Sequence, residues 1–155
     1  MPQQTPISVI KYDKQYGADT VTMWRESKAR AIGQQEPHSF DDHLNYLNET
    51  LTKECEIYLA VTHNPRKVIG LLATDGQFIH QLYIHNEFQR SGLGTKLIEL
   101  AKDFSSGELK LYTFEVNHGA QKFYEKHGFR IISRGSNNNE GLPDMLYKWS
   151  KNISY

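Results

Sequence analysis

Two hydrophobic periods alternate along this chain. Ile7 to Lys11 alternates and reads as a strand. Ala18, Val21 and Trp24 then recur three apart, which predicts a helix over roughly residues 15–29. Ile32 to His38 holds Gly33 and Pro37 and reads as a loop. Ser39 with Asp42 resembles a capping box, and Phe40, Leu44, Leu47 and Leu51 mark one face of a second helix. Period two returns in Ile57 to Thr62 and Val68 to Thr74, and Asp75-Gly76 favours a tight turn into a strand from Phe78 to Ile84. These three strands form an antiparallel meander. Leu93, Leu97, Ile98, Leu100, Ala101 and Phe104 give a third helix, stopped by Ser105-Ser106-Gly107. A strand from Leu109 to Val116 follows. Next comes a helix from Gly119 to His127, with Ala120, Phe123, Tyr124 and His127 on one face and Gly128 as its stop. Phe129 to Arg134 and Met145 to Ser150 are the last strands, separated by the polar loop GSNNNEGLP. The order β-α-α-β-β-β-α-β-α-β-β is that of an α+β (mixed α/β) chain.

Between the Phe78 strand and the Leu93 helix lies Gln89-Arg90-Ser91-Gly92-Leu93-Gly94-Thr95. A strand that turns through two glycines into a helix makes an anion cradle. Glycine lets backbone approach a ligand, and the first helical N–H groups have no partner within the helix. It is not a P-loop, because Thr95 and Lys96 follow Gly94 in the wrong order and no glycine lies five before Gly94. It is not a dinucleotide fingerprint either, because Leu97 stands where the third glycine belongs.

What remains, Q-x-x-G-x-G, resembles the pyrophosphate loop of the GNAT superfamily of acyl-CoA-dependent N-acyltransferases. A second stretch, Asn117 to Phe129 (NHGAQKFYEKHGF), resembles the family's N-x-x-A-x-x-F-Y-x-x-x-G-F through Asn117, Ala120, Phe123, Tyr124, Gly128 and Phe129. The resemblance is good over roughly residues 56–134; the first third fits only in its order of elements. It implies a central twisted mixed sheet of about six to seven strands flanked by about four helices, with a splayed pair of parallel strands on either side of the cradle helix. It implies acetyl-CoA as co-substrate, with Gln89, Arg90, Ser91, Gly92, Leu93, Gly94 and Thr95 around the pyrophosphate. The pantetheine arm would pair with the backbone of Leu82, Tyr83 and Ile84, and an N–H at Tyr83 or Ile84 would polarise the thioester. Asn117 would bond backbone or the pantetheine amide.

Composition narrows the field further. At 155 residues the chain is expected to be one domain, 1–155. Eighteen acidic residues balance eighteen basic ones, which argues against a general nucleic-acid binder or membrane-surface protein. No apolar run is long enough to span a membrane, and MPQQTPISV lacks a signal pattern, so a cytoplasmic protein is expected. Sequons at Asn48 and Asn152 then read as chance matches. A single cysteine, Cys55, excludes an intrachain disulfide and reads as a small, partly buried thiol. Seven histidines show no metal spacing, so no metal is expected.

Amide formation needs a neutral amine, yet at pH 7 only a few amines in ten thousand are neutral when the pKa is about 10.4. A base must act, and an acid should protonate the leaving thiolate. Tyr124 matches the tyrosine that serves as acid in the resembled family. Glu115, on the strand after the cradle and on the face of Thr113 and Asn117, is the candidate base, with His80 and Gln81 on the strand before as alternatives. The acceptor pocket is expected between the loop joining the first two helices and the last hairpin. Those segments offer Trp24, Glu36, His38, Phe40, Asn137, Glu140 and Asp144; Trp24, Glu140 and Asp144 suit a cationic amine.

The leading reading is an N-acetyltransferase moving an acetyl group from acetyl-CoA to a primary amine of a small molecule or peptide, by direct transfer in a ternary complex. A monomer or homodimer is expected. The alternative is a non-catalytic acyl-CoA-binding sensor on the same fold.

Overall fold

The computed structural model describes residues 6–151, so the first five residues and the Asn152 sequon lie outside it. Four strands form an antiparallel sheet in chain order: β1 (Ile7–Lys11), β2 (Glu56–His63), β3 (Arg66–Thr74) and β4 (Ile79–Ile84). The Asp75 turn joins β3 to β4, with the carboxylate accepting from the N–H groups of Gln77 (2.8 Å) and Phe78 (2.7 Å). Helix α1 (Gly17–Ile32) runs further than the predicted 15–29. Its buried stripe is Gly17, Thr20, Val21, Trp24 and Ser27, while Ala18 is exposed, so the apolar face starts one residue earlier than the sequence pattern places it.

The second helix is three pieces. Ser39 caps α2 (Phe40–Asn45) by accepting from the Asp42 N–H at 3.1 Å; a π-helical stretch (Tyr46–Leu51) follows, then a last turn, α3 (Thr52–Glu54). His43, Leu47 and Leu51 face inward, whereas Phe40 is exposed.

Beyond β4 come α4 (Leu93–Phe104), β5 (Glu108–Phe114), α5 (His118–Lys126), β6 (Arg130–Gly135) and β7 (Asp144–Ser150). The last three strands form a second antiparallel sheet, in the order β5-β7-β6. The expected central mixed sheet is thus, in hydrogen-bond terms, two antiparallel sheets. The parallel neighbours β4 and β5 meet only at a bridge between Phe78 and Lys110, where the Lys110 N–H donates to the Gln77 carbonyl at 2.9 Å. Past that bridge no ladder joins them, which is the splay expected of the pair on either side of α4.

Two apolar clusters hold the layers together. Val21, Trp24, Leu47, Leu51, Leu59 and Leu71 bury α1 and the second helix on one face of the first sheet. Ile69, Leu72, Leu97, Leu109, Tyr124 and Tyr147 unite α4, α5 and both sheets on the other. Strand β4 is shared: Leu82 and Ile84 pack on the α4 side, and Tyr83, between them, packs on the α1 side. No helix among the described residues is long and apolar enough to cross a membrane.

Candidate functional site

The cradle is a loop that fixes itself and leaves its helix end open. The Gln89 side-chain amide donates to the Ile84 carbonyl at 3.2 Å, and the Ser91 hydroxyl donates to the Phe88 carbonyl at 2.5 Å. Leu93 is buried in the core. These three residues shape the loop. Gly92 caps α4 with φ of 85°, a left-handed conformation that disfavours a side chain, and no side chain caps the helix. The first intrahelical bond runs from the Lys96 N–H to the Gly92 carbonyl, so the N–H groups just before it point out of the helix end. Arg90, also left-handed at φ 66°, is exposed beside them. Gly94 has a different reason to be glycine: a Cβ there would lie 2.9 Å from Phe123 Cε1, so α4 and α5 approach too closely for one. The Thr95 hydroxyl lies 3.3 Å from His127 Nε2.

Tyr124, on α5, is buried among Phe123, Phe129 and Tyr147 at ring separations of 5.3, 5.5 and 6.2 Å. Its hydroxyl makes no hydrogen bond among the described residues, and it is not a sealed atom: Thr20 Oγ1 is the unpartnered buried side-chain oxygen among them. Burial, with a smaller contribution from Tyr83, pushes the phenol well above its usual value. The Tyr83 phenol is also raised, by burial first and then by Glu140 and Glu36, so it lies in the field of both carboxylates.

Those carboxylates come from the two segments expected to build the acceptor pocket, and they converge on a residue the sequence reading missed. Lys28 Nζ sits 2.8 Å from Glu36 Oε2 and 2.5 Å from Glu140 Oε2. Burial works against the Lys28 charge, but the two carboxylates outweigh it and hold the ammonium above its usual value. Burial likewise opposes the Glu36 charge, and Lys28 overcomes it, leaving the carboxyl below its ordinary value. A lysine near the end of an exposed-looking helix carries no sequence signal for such a role.

The other expected pocket residues are placed elsewhere. Trp24 is 3% exposed and packs in the core, with His43 edge-on at 4.1 Å. Asp144 accepts from the Asn138 amide at 3.0 Å and pins the β6–β7 loop. It borders a hollow of 390 Å³ with Tyr112, Phe114 and Arg134. Tyr112, Phe114 and Leu146 alternate with the buried Leu111, Thr113, Met145 and Tyr147, so this hollow lies on the sheet face turned away from α4. His38 and Phe40 are exposed.

Glu115 follows β5, half-exposed, and forms an ion pair with Arg134 at 2.8 Å. Asn117 caps α5, accepting from the Ala120 N–H at 3.2 Å. His80 pairs with Asp75 at 2.9 Å, which binds it to the β3–β4 turn. Burial pushes the Cys55 thiol up to about 12, which keeps it a thiol at neutral pH. No group of three metal-ligating side chains occurs among the described residues.

A family model described as "Acetyltransferase (GNAT) domain" matches residues 53–131. The peptidyl-lysine N-acetyltransferase YjaB of Salmonella typhimurium is 26% identical over 137 residues, which is 88% of this chain and 92% of that protein. The apo-form solution structure of YjaB from Escherichia coli superposes with a TM-score of 0.71 at 24% identity, covering 93% of this chain and 97% of that one. An N-acetyltransferase structure from Thermoplasma acidophilum in complex with coenzyme A gives a TM-score of 0.71 at 18% identity, covering 94% of this chain and 99% of that one.

Proposed function

The chain belongs to the GNAT acetyltransferase family, and on that premise we propose that it transfers an acetyl group from acetyl-CoA to a primary amine of a small molecule or peptide. Transfer is direct, within a ternary complex. The observation that carries this reading is the free hydroxyl of Tyr124, which belongs to the same cluster as Leu82 and Ile84 of the β4 edge left unpaired by the splay.

The residues present fit acetyl-CoA. The uncapped end of α4 offers N–H groups to a pyrophosphate, Gly92 keeps the approach open with nothing within 4 Å of a Cβ position, and Arg90 adds a cation. The unpaired edge at Leu82–Ile84 offers backbone groups to an extended arm. Bound acetyl-CoA supplies an activated acyl group. Tyr124, kept protonated by its buried surroundings, gives its phenolic proton to the sulfur as the C–S bond breaks. Tyr83 or Ile84 N–H polarises the acyl oxygen. Glu115 is the candidate base, and it must leave Arg134 to serve.

The activity named for the Salmonella relative makes a lysine side chain in a peptide the first acceptor to test. The experiment is acetyl-CoA-dependent thiol release across a panel of amines and lysine peptides. Tyr124→Phe should lower turnover by roughly 10²-fold or more with little change in the KM for acetyl-CoA. Unchanged turnover in that variant removes Tyr124 from the mechanism.

A further inference from the structure

The outward face of the second sheet carries a hollow that the transfer chemistry leaves unused. Tyr112, Phe114 and Leu146 line it, with Arg134, Asn138 and Asp144 around them. Its 390 Å³ stands near the low end of the ~300–1,000 Å³ typical of small-ligand sites, which suits a single aromatic side chain. Tyr112 is 62% exposed yet held flat, because its ring stacks on Phe78 at 6.3 Å and 13°. Large aromatics fixed in this way are favoured anchors for a partner. Asp144 is the polar counterpart of that shelf. It is 8% exposed, and its Oδ2 accepts from the Asn138 amide at 3.0 Å, but Oδ1 makes no hydrogen bond among the described residues. The cation that shares the hollow, Arg134, pairs with Glu115 instead. Gly135, opposite Asp144 in the β6–β7 ladder, leaves Oδ1 uncovered; a Cβ there would stand 3.7 Å from it. A carboxylate so nearly buried calls for a donor on each oxygen. The hollow also lies where the two sheets part. Tyr112 and Phe114 stand two and four residues past the Phe78–Lys110 bridge, about 7 and 13 Å along β5. Helix α4, with the cradle, packs on the opposite face. A thioester held by the cradle and an acceptor lying in the hollow would thus approach the splay from opposite faces, with Glu115 at the hollow's rim.

Resting on the acetyl-transfer reading, we propose that this hollow selects the acceptor: it takes an aromatic side chain beside the lysine that is acetylated, and Asp144 Oδ1 accepts from a peptide N–H of the same segment. Arg134 on one wall disfavours a cationic side chain and Asp144 on another disfavours an anionic one, so the residue read here is neutral. Its ring lies on the shelf of Tyr112, Phe114 and Leu146. The main-chain donor completes the hydrogen bonding of a carboxylate that Asn138 satisfies on one oxygen only. The acceptor class is therefore a lysine peptide with an aromatic neighbour.

The test is acetyl-CoA-dependent thiol release with capped dipeptides of lysine and phenylalanine, or of lysine and serine, each in both residue orders. The expected kcat/KM is about tenfold higher with phenylalanine in at least one order, carried by KM, because half-burying the ring discriminates on that scale. Norleucine analogues of the same dipeptides, which have no amine to acetylate, should inhibit the native protein with a comparable difference between phenylalanine and serine. This measurement needs no variant and so guards against misfolding. In Tyr112→Ser the preference should fall to within about twofold. Asp144→Asn keeps an oxygen for the Asn138 amide, and it should lower kcat/KM for the phenylalanine peptide about fivefold, with the loss carried by KM, as a charged acceptor becomes a neutral one. Equal kcat/KM for phenylalanine and serine in both orders, a preference that survives Tyr112→Ser, or an unchanged KM in Asp144→Asn overturns the proposal and leaves acetyl transfer standing. Turnover of other amines but of no lysine peptide also overturns this proposal alone. Turnover of no amine removes both readings.

Discussion

Gly94→Ala tests whether the cradle is built by contact between α4 and α5. The substituted Cβ would lie 2.9 Å from Phe123 Cε1 and 3.2 Å from Cζ. Ordinary contact begins near 3.4 Å, so the ring must retreat by about half an ångström. It has little room, because it already stands 5.3 Å from the Tyr124 ring and 4.6 Å from the His127 ring, centre to centre. Overpacking of this kind costs about 1–3 kcal/mol, against a gain of at most about 1 kcal/mol from replacing glycine in a helix. The net expectation is a loss of about 1 kcal/mol, read as a fall of roughly 2–4 °C in Tm for a chain of this size. A thermal and urea unfolding cycle with Phe123→Leu checks the cause. With the ring gone, Gly94→Ala should turn neutral or stabilising, giving a coupling of about 1 kcal/mol or more. Gly92→Ala supplies the contrast: it meets nothing within 4 Å but sits at φ 85°, so it should cost about 1–2 kcal/mol whatever occupies position 123. A Gly94→Ala protein as stable as the native one, or a coupling near zero, refutes the close-approach argument.

The His43 pKa, about 4 when folded against 6.5 for the free side chain, makes acid unfavourable: the unfolded chain takes up a proton that the native state refuses. Stability should therefore fall by about 2 kcal/mol from pH 7 to pH 5, and the fall should be absent in His43→Leu when both are unfolded in urea. Asn117→Ala should cost about 1 kcal/mol by uncapping α5, and Asn117→Asp should retain the cap; a large rise in the KM for acetyl-CoA in the aspartate variant would add a cofactor contact to the capping role. Glu115→Gln should change stability by less than about 1 kcal/mol, since its pair with Arg134 is half in solvent. If Glu115 is the base, the same variant lowers kcat and removes the acidic limb of the pH–rate profile; an unaltered profile dismisses it.

The two half-motifs were legible because what they encode is local. Two glycines at a strand-to-helix turn and the helical spacing of Leu93, Leu97, Ile98 and Ala101 can each be read within a dozen residues, whereas the capping of α5 by Asn117 emerged only with the fold. The reason for Gly94 was not, because the ring that forbids a side chain there arrives from α5. Trp24 looked like an aromatic wall for a cation, but its place on the stripe with Thr20, Val21 and Ser27 commits it to the core. Glu36 and Glu140 were named as pocket acids from their loops. Their common partner, Lys28, could not be, because only the fold brings Glu140, 112 residues away in sequence, to the ammonium that Glu36 also meets. The break between the sheets was foreseen only through the family resemblance; no residue in β4 or β5 announces it.

The parting of β4 from β5 means that this protein keeps a sheet edge inside itself. Exposed edges invite strands from other chains, and proteins ordinarily blunt them with charge, proline or a bulge. Here Leu82 and Ile84 of the unpaired row pack against the cluster that α4, α5 and the second sheet share, so the fold covers this edge with its own elements. On the proposed function, the same row would serve main-chain recognition of a ligand without the hazard of self-assembly that an open edge carries.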